Sequence, residues 1–223
     1  MKIYCLGIDE AGRGPLIGNL YIVGVLIEKS KLNNLDEDIK DSKELDQKKR
    51  EEIFEKYSNL IYFVKEIKPR EIDSKNLNQI EADYFREIIT ESFKLLEKKE
   101  ENFELEVYID LPEKKERFLR RINLNKRNVK LILEHKADKK YKIVSLASIF
   151  AKVLRERHIQ TIKEKLNLDF GSGYPSDPET RRFIEILKRN EELLRRIRPF
   201  IRKKWDTARF LFNKNIIDFI NKK

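Results

Sequence analysis

Cysteine is nearly missing from this chain: Cys5 stands alone among 223 residues. A single cysteine makes no internal disulfide and no zinc cluster, so nothing points to an oxidising compartment. It sits in an apolar run, where a buried structural thiol is expected rather than a nucleophile. Histidine is almost as scarce. His135 and His158 are the two present, and neither has a Cys or His neighbour at zinc spacing. Nucleophilic catalysis by Ser or Cys with His therefore has little support. Long hydrophobic runs are missing too. Residues 3–8 are too few for the apolar region of a signal peptide, and acids follow at once. No stretch approaches the roughly 18 apolar residues of a membrane span. A soluble, cytoplasmic protein with no membrane partner is expected.

What is abundant is charge. Asp, Glu, Lys and Arg make up 39% of the chain, well above the roughly 25% of an average soluble protein. With three Gln and one Met, the composition leans toward a heat-adapted protein, where ion-pair networks gain value. Plentiful Asn, which is thermolabile, weighs against that. The net charge is +10. A polyanionic partner fits, because Lys and Arg contacts to phosphates release counterions. A solvated basic surface fits equally well. At 223 residues and 40% hydrophobic content, the chain can bury one sizeable core with a small appendage.

The pattern along the chain is that of an α/β protein. Residues 2–8 read as a buried strand ending at Asp9. Gly12, Gly14 and Gly18, with Pro15 among them, mark a turn. Residues 20–27 read as a second strand that can form a hairpin with the first. Residues 31–43 are loop-like. Asp46 can cap a helix carrying Ile53, Phe54 and Tyr57 on one face. Further strands are expected at 60–67, 105–109 and 129–133. Helices are expected at 78–99, 116–122 and 141–166, the last apolar enough in its first half to pack deep against a sheet. Pro112 stops the strand before it or opens a helix. Asp177 reads as an N-cap with Pro178 at the first helical position. The expectation is a mixed five-stranded sheet flanked by helices, antiparallel early and parallel late, with a catalytic domain at 1–177 and a helical substrate-binding extension at 178–223.

Three acidic sites fall at the ends of expected strands or at strand–helix junctions: Asp9 with Glu10, Asp110, and Asp138. Strand ends of one sheet converge in space although they are far apart in sequence. Carboxylates gathered there suit hard cations such as Mg²⁺ or Mn²⁺. Two such cations shared by a carboxylate cluster suit phosphodiester cleavage. Each acid also has an ordinary reading. Asp110 is common turn chemistry, and Asp138 can cap the helix that follows.

Asp9-Glu10-Ala11-Gly12-Arg13-Gly14-Pro15 resembles the signature of type 2 ribonuclease H, ribonuclease HII. Four further blocks resemble that family in the same order. They are Asp41-Ser42-Lys43 with Leu45; the strand ending at Asp110; Glu134-His135-Lys136-Ala137-Asp138 running on through Val144-Ser145-Leu146-Ala147-Ser148-Ile149-Phe150-Ala151-Lys152-Val153; and Gly171-Ser172-Gly173-Tyr174-Pro175-Ser176-Asp177. The resemblance covers about residues 3 to 182, more faintly 198 to 208, and is greatest to archaeal members. Leu111-Pro112 and Leu146 depart from the family pattern. Type 3 relatives carry an extra N-terminal domain, so type 2 is the better match.

The resemblance implies a ribonuclease H-like fold and cleavage of RNA in RNA–DNA hybrids, with nicking 5′ of ribonucleotides embedded in DNA. It implies Asp9, Glu10, Asp110 and Asp138 as ligands of Mg²⁺ or Mn²⁺, and products with 3′-hydroxyl and 5′-phosphate ends. It implies that Gly12, Arg13 and Gly14 meet the ribose 2′-hydroxyl, which separates RNA from DNA, and that Tyr174 packs on the neighbouring deoxyribose. Lys43, Ser145 and Lys152 are candidate phosphate contacts, though Lys43 also reads as a solvated lysine and Ser145 as a packing residue at a helix start. The basic run through Arg195, Arg196, Arg198, Arg202, Lys203 and Lys204 can grip duplex backbone, and reads equally well as a solvated helix face. A monomer is expected, and the C-terminus shows no motif for recruitment by a replication clamp. Two alternatives remain: another nuclease of the same fold, of junction-resolvase type, and a non-catalytic duplex-binding protein.

Overall fold

Cys5 to Ile8 pack both sides of one strand into apolar surroundings, and the strand continues past them. In a computed structural model, which describes residues 1–41, 45–206 and 208–209, Lys2–Ala11 forms β1 and Leu20–Glu28 forms β2. The two are antiparallel, with Asp9 opposite Val23, Glu10 opposite Ile22 and Ala11 opposite Tyr21. β1 thus runs past the expected end at Ile8. The reason is the partner: β2 supplies ladder hydrogen bonds beyond the apolar stretch that signals the strand.

Residues 31–43, expected as loop, overlap two 3₁₀ segments, Lys29–Asn34 and Glu37–Asp41. Buried Leu35 and Ile39 anchor this stretch, and bonds such as Leu35 N–H to Leu32 O at 3.2 Å close its turns. Helix α1, Gln47–Tyr57, starts as expected at Asp46, whose carboxylate accepts from Lys49 N–H at 2.8 Å. Next come β3 at Ile61–Ile67, the short α2 at Pro69–Ile72, α3 at Leu77–Glu97 and β4 at Phe103–Asp110. Then follow α4 at Lys115–Ile122, β5 at Val129–Glu134, α5 at Ala137–Lys140 and α6 at Lys142–Leu166. Helix α7 is Pro178–Leu187 and α8 is Glu191–Ile197. Pro112 ends β4 and does not open the next helix.

The chain forms two compact units. The first takes in residues 1–11, 21–66 and 76–154; the second takes in 12–20, 67–75 and the described residues from 155 onward. The segment from Pro178 therefore shares its unit with the Gly-rich turn.

In the first unit, five strands lie in the order β3-β2-β1-β4-β5. β1 runs antiparallel to β2 and parallel to β4, and β4 runs parallel to β5. This is the expected mixed sheet, with helices on both faces. On one face Cys5, Val23, Val25 and Ile27 pack against α1 and the first half of α6. Gly7 lies on this face, and a Cβ there would sit 2.3 Å from Ile143 O. Only glycine lets helix and strand approach so closely. On the other face Gly24 does the same for α3: a Cβ would lie 2.5 Å from an Ile88 methyl. In the second unit Leu16 and Ile17 join Ile159, Ile162, Phe170, Phe183, Ile184, Leu187 and Ile201 in a separate core. Among the described residues no helix is long and apolar enough to cross a membrane.

Candidate active site

The sheet register brings acids together. Ile8 pairs with Ile109 in the parallel ladder. The next residue along each strand is Asp9 and Asp110, so both point from the same face at neighbouring strand ends. On β5 the neighbour of Asp110 is Glu134. Asp110 Oδ1 accepts from Ala137 N–H at 3.2 Å. That bond ties the first turn of α5, and with it Asp138, to the end of β4. Asp138 lies within this turn and not at its N-cap position.

Asp9 and Asp138 are almost wholly buried. Burial pushes the Asp9 carboxyl up to about 6. A Ser148 hydroxyl and the Glu10 N–H, the latter at 2.8 Å, oppose the shift by stabilising the anion, while the charges of Asp110 and Asp138 add to it. The Asp9 carboxyl thus feels both of the other carboxylates. Glu10 follows Asp9 on a regular strand, and alternation turns it to the opposite face. Among the described residues no three acidic, His or Cys side chains close around a single point. The donor chemistry nevertheless fits a divalent cation. The groups are oxygens only, Asp9 and Asp138 are buried and Asp110 half-buried, and like charges at Asp9 repel, so a cation among them would relieve the repulsion.

Ser148 has no counterpart in the sequence-based site. It is buried on α6 and reaches Asp9 because α6 lies over β1. Ser145, one turn earlier, is also fully buried, and its hydroxyl donates to Ile39 O. Lys152 is half-buried further along α6. Lys43 lies outside the described residues.

The glycine turn and Tyr174 belong to the second unit. Gly12 and Gly18 take φ of +95° and +98°, a region that favours glycine. Leu16 N–H and Ile17 N–H donate to Gly173 O at 2.7 and 3.2 Å. Tyr174 lies beside Gly14, where a Cβ would be 3.7 Å from the ring. Arg155, which no sequence signal singled out, joins these parts. Its guanidinium lies 4.5 Å from the centre of the Tyr174 ring and donates to Ser172 O at 2.6 Å. Asp177 caps α7 through Glu179 N–H and also holds the loop through Ser172 N–H at 2.6 Å. In the same unit Arg70, Arg195, Arg198, Lys203 and Lys204 line a pocket of about 530 Å³ with Asp73 as its acid. Asp73 accepts from Lys203 N–H and Lys204 N–H at 2.9 and 3.1 Å.

Solved structures share this fold over most of the chain. The ribonuclease H2 of Pyrococcus horikoshii is 36% identical with a TM-score of 0.79, covering 99% of this chain and all of that one. A ribonuclease HII of Archaeoglobus fulgidus, solved in complex with PCNA, is 36% identical with a TM-score of 0.72, covering 91% of this chain and 95% of that one. The fold and these relatives together define a metal-dependent ribonuclease H, an endoribonuclease acting on RNA–DNA hybrids. Within that class the chain belongs to the ribonuclease HII family, whose model it matches over residues 6–208. The ribonuclease HII of Nanoarchaeum equitans is 39% identical over 216 residues, 96% of this chain and 98% of its own.

Proposed function

We propose that this chain nicks duplex DNA on the 5′ side of an embedded ribonucleotide, as well as cutting longer hybrids, and acts as a monomer with Mg²⁺ or Mn²⁺. The observation that carries this reading is the buried Asp9 carboxyl at the end of β1, on which the charges of both Asp110 and Asp138 act. Carboxylates so placed would repel a nucleic acid, and one another, unless a cation lies among them. They are the proposed ligands, with Glu10 as a fourth on the strength of its motif alone. When bound, a pair of divalent cations supplies an activated water and charge neutralisation for phosphodiester hydrolysis with 3′-hydroxyl and 5′-phosphate products.

The chain's own residues do the rest. Ser148 orients Asp9 and stabilises its anionic form. Asp110 fixes the turn that carries Asp138. Gly12, Arg13 and Gly14 offer backbone and guanidinium donors to a ribose 2′-hydroxyl, and Tyr174 packs on the sugar beyond it, held by Arg155. Lys152 is a proposed phosphate contact. Ser145 enters as a support for the Glu37–Asp41 segment that leads to Lys43, the other proposed phosphate contact. The cations around Arg195 and Lys204 grip duplex backbone.

The test is a duplex with one embedded ribonucleotide, incubated with Mg²⁺, with Mn²⁺ and with chelator. Nicking 5′ of the ribonucleotide, dependent on the cation, is expected. Asp138→Asn should lower turnover by at least about a hundredfold while hybrid binding holds. Cleavage of all-DNA duplex at a similar rate would favour a junction-resolvase type. Binding without cleavage under every cation would favour a non-catalytic duplex-binding protein.

A further inference from the structure

Arg202 heads the fully buried side chains of the described residues by volume. A buried guanidinium costs several kcal/mol unless its donors are satisfied, and those of Arg202 are aimed at one short stretch of backbone. Nε donates to Gly18 O at 3.2 Å, Nη1 to Arg13 O at 2.9 Å, and Nη2 to Gly12 O at 2.5 Å and Gly18 O at 3.0 Å. The guanidinium lies 5.3 Å from the centre of the Trp205 ring, and Trp205 Nε1 donates to Gly14 O at 3.4 Å. The flanking backbone is stitched to the same stretch: Arg202 N–H donates to Leu16 O and Gly18 N–H to Phe200 O, each at 2.9 Å.

The carbonyls of Gly12, Arg13 and Gly14 are therefore all drawn toward Arg202 and Trp205. A peptide unit is planar and trans, so each carbonyl points opposite to the N–H of the next residue. Drawing in the carbonyls of Gly12 and Arg13 turns the N–H groups of Arg13 and Gly14 the other way. Pro15 has no N–H, so the pair ends there. We propose that Arg202 is a positioning residue for ribose recognition: its planar fork fixes the peptide planes that aim the Arg13 and Gly14 amides outward, as donors to a ribose 2′-hydroxyl. The proposal rests on the reading that this turn meets the ribose. A lysine would keep the charge but cannot span carbonyls at both ends of the turn.

Two readouts test it in the full chain. The first is affinity, without divalent cation, for a DNA duplex with one ribonucleotide and for the all-DNA duplex of the same sequence. The second is the ¹⁵N–¹H spectrum of glycine-labelled protein, in which seven glycines report. In Arg202→Lys the preference for the ribonucleotide duplex should fall about tenfold, one hydrogen bond's share, with all-DNA affinity held. The Gly12, Gly14 and Gly18 signals should move while Gly7 and Gly24, in the strands, stay. If Arg202→Lys unfolds, Trp205→Phe keeps an aromatic ring there and loses the indole donor; the Gly14 signal should move and the preference should fall by a smaller factor. An unchanged preference, unmoved turn glycines, or equal losses on both duplexes would overturn the proposal. A wild-type protein without ribonucleotide preference sinks the ribose reading itself; the glycine signals then decide alone whether Arg202 sets the turn.

Discussion

Asp177 serves both a helix and a loop. Its carboxylate accepts from Ser172 N–H and Oγ, Glu179 N–H and Thr180 Oγ1. These bonds, that from Ser172 N–H foremost, pull its pKa from 3.8 down to about 2. A depressed carboxyl stabilises the fold above its unfolded pKa and loses that contribution as pH falls through its folded one. Asp177→Ala should cost about 1 kcal/mol, the usual value of a cap, at pH above 4. The gap to wild type in thermal melts should narrow from pH 4 toward pH 2. A gap that holds constant to pH 2 would mean the charge contributes nothing. Cys5 makes the opposite case. Burial pushes its thiol up to about 11, with the Glu106 carboxylate adding to the shift. Native protein at pH 8 should therefore leave a thiol-disulfide reagent unreacted, and unfolded protein should react with one equivalent. That outcome would bear out the buried thiol expected from its apolar neighbours. Asp9 and Asp110 were legible in the same way, since each follows an apolar run, whereas Asp138 stood out by its place between a strand and a helix. Ser148 and Arg155 were not. A serine or arginine on a helix has no signal of its own, and its target exists only once the helix is laid down.

At the scale of elements, the close contact of β1 with α6 decides where Ser148 falls relative to Asp9. Hydrophobic patterning announced both elements and nearly all of their extents. It did not announce their spacing. That spacing is set by Gly7, whose missing side chain lets Ile143 O approach to where a Cβ would be 2.3 Å away. One glycine in a strand reads from sequence as a weakness, and here it is the contact point. Likewise the end of β1 was missed because strand length is fixed by the partner β2 and not by the strand's own apolar run. Gly7→Ala must push α6 away or bend β1. It should cost about 3 kcal/mol or more, the upper range for overpacking, seen as a lowered midpoint in denaturant with an unchanged slope. Any soluble, folded Gly7→Ala protein should also lose hybrid cleavage far more than hybrid binding, because Ser148 moves off Asp9. Full stability would mean that the contact is looser than the packing implies.

At the scale of the whole molecule, the charge of +10 was readable but ambiguous, because solvated bases and phosphate-gripping bases look alike in sequence. Placement separates them. Arg70 lies more than a hundred residues from Arg195, yet both line one pocket with Arg198, Lys203 and Lys204. Its acid, Asp73, is bonded to the backbone of Lys203 and Lys204 and cannot offset five cations. Such a concentration of like charge is costly in a protein with no anion to bind. Hybrid affinity should therefore fall steeply with salt, with a slope in a log–log plot that counts the phosphates neutralised. Each phosphate contact removed should lower that slope by about one. Arg195→Ala with Lys204→Ala should lower it by about two, weaken binding to hybrid and to all-DNA duplex alike, and leave the preference for a single ribonucleotide untouched. A slope unchanged in the double variant would return these residues to the solvated surface and leave the turn and the carboxylates to hold the duplex without them.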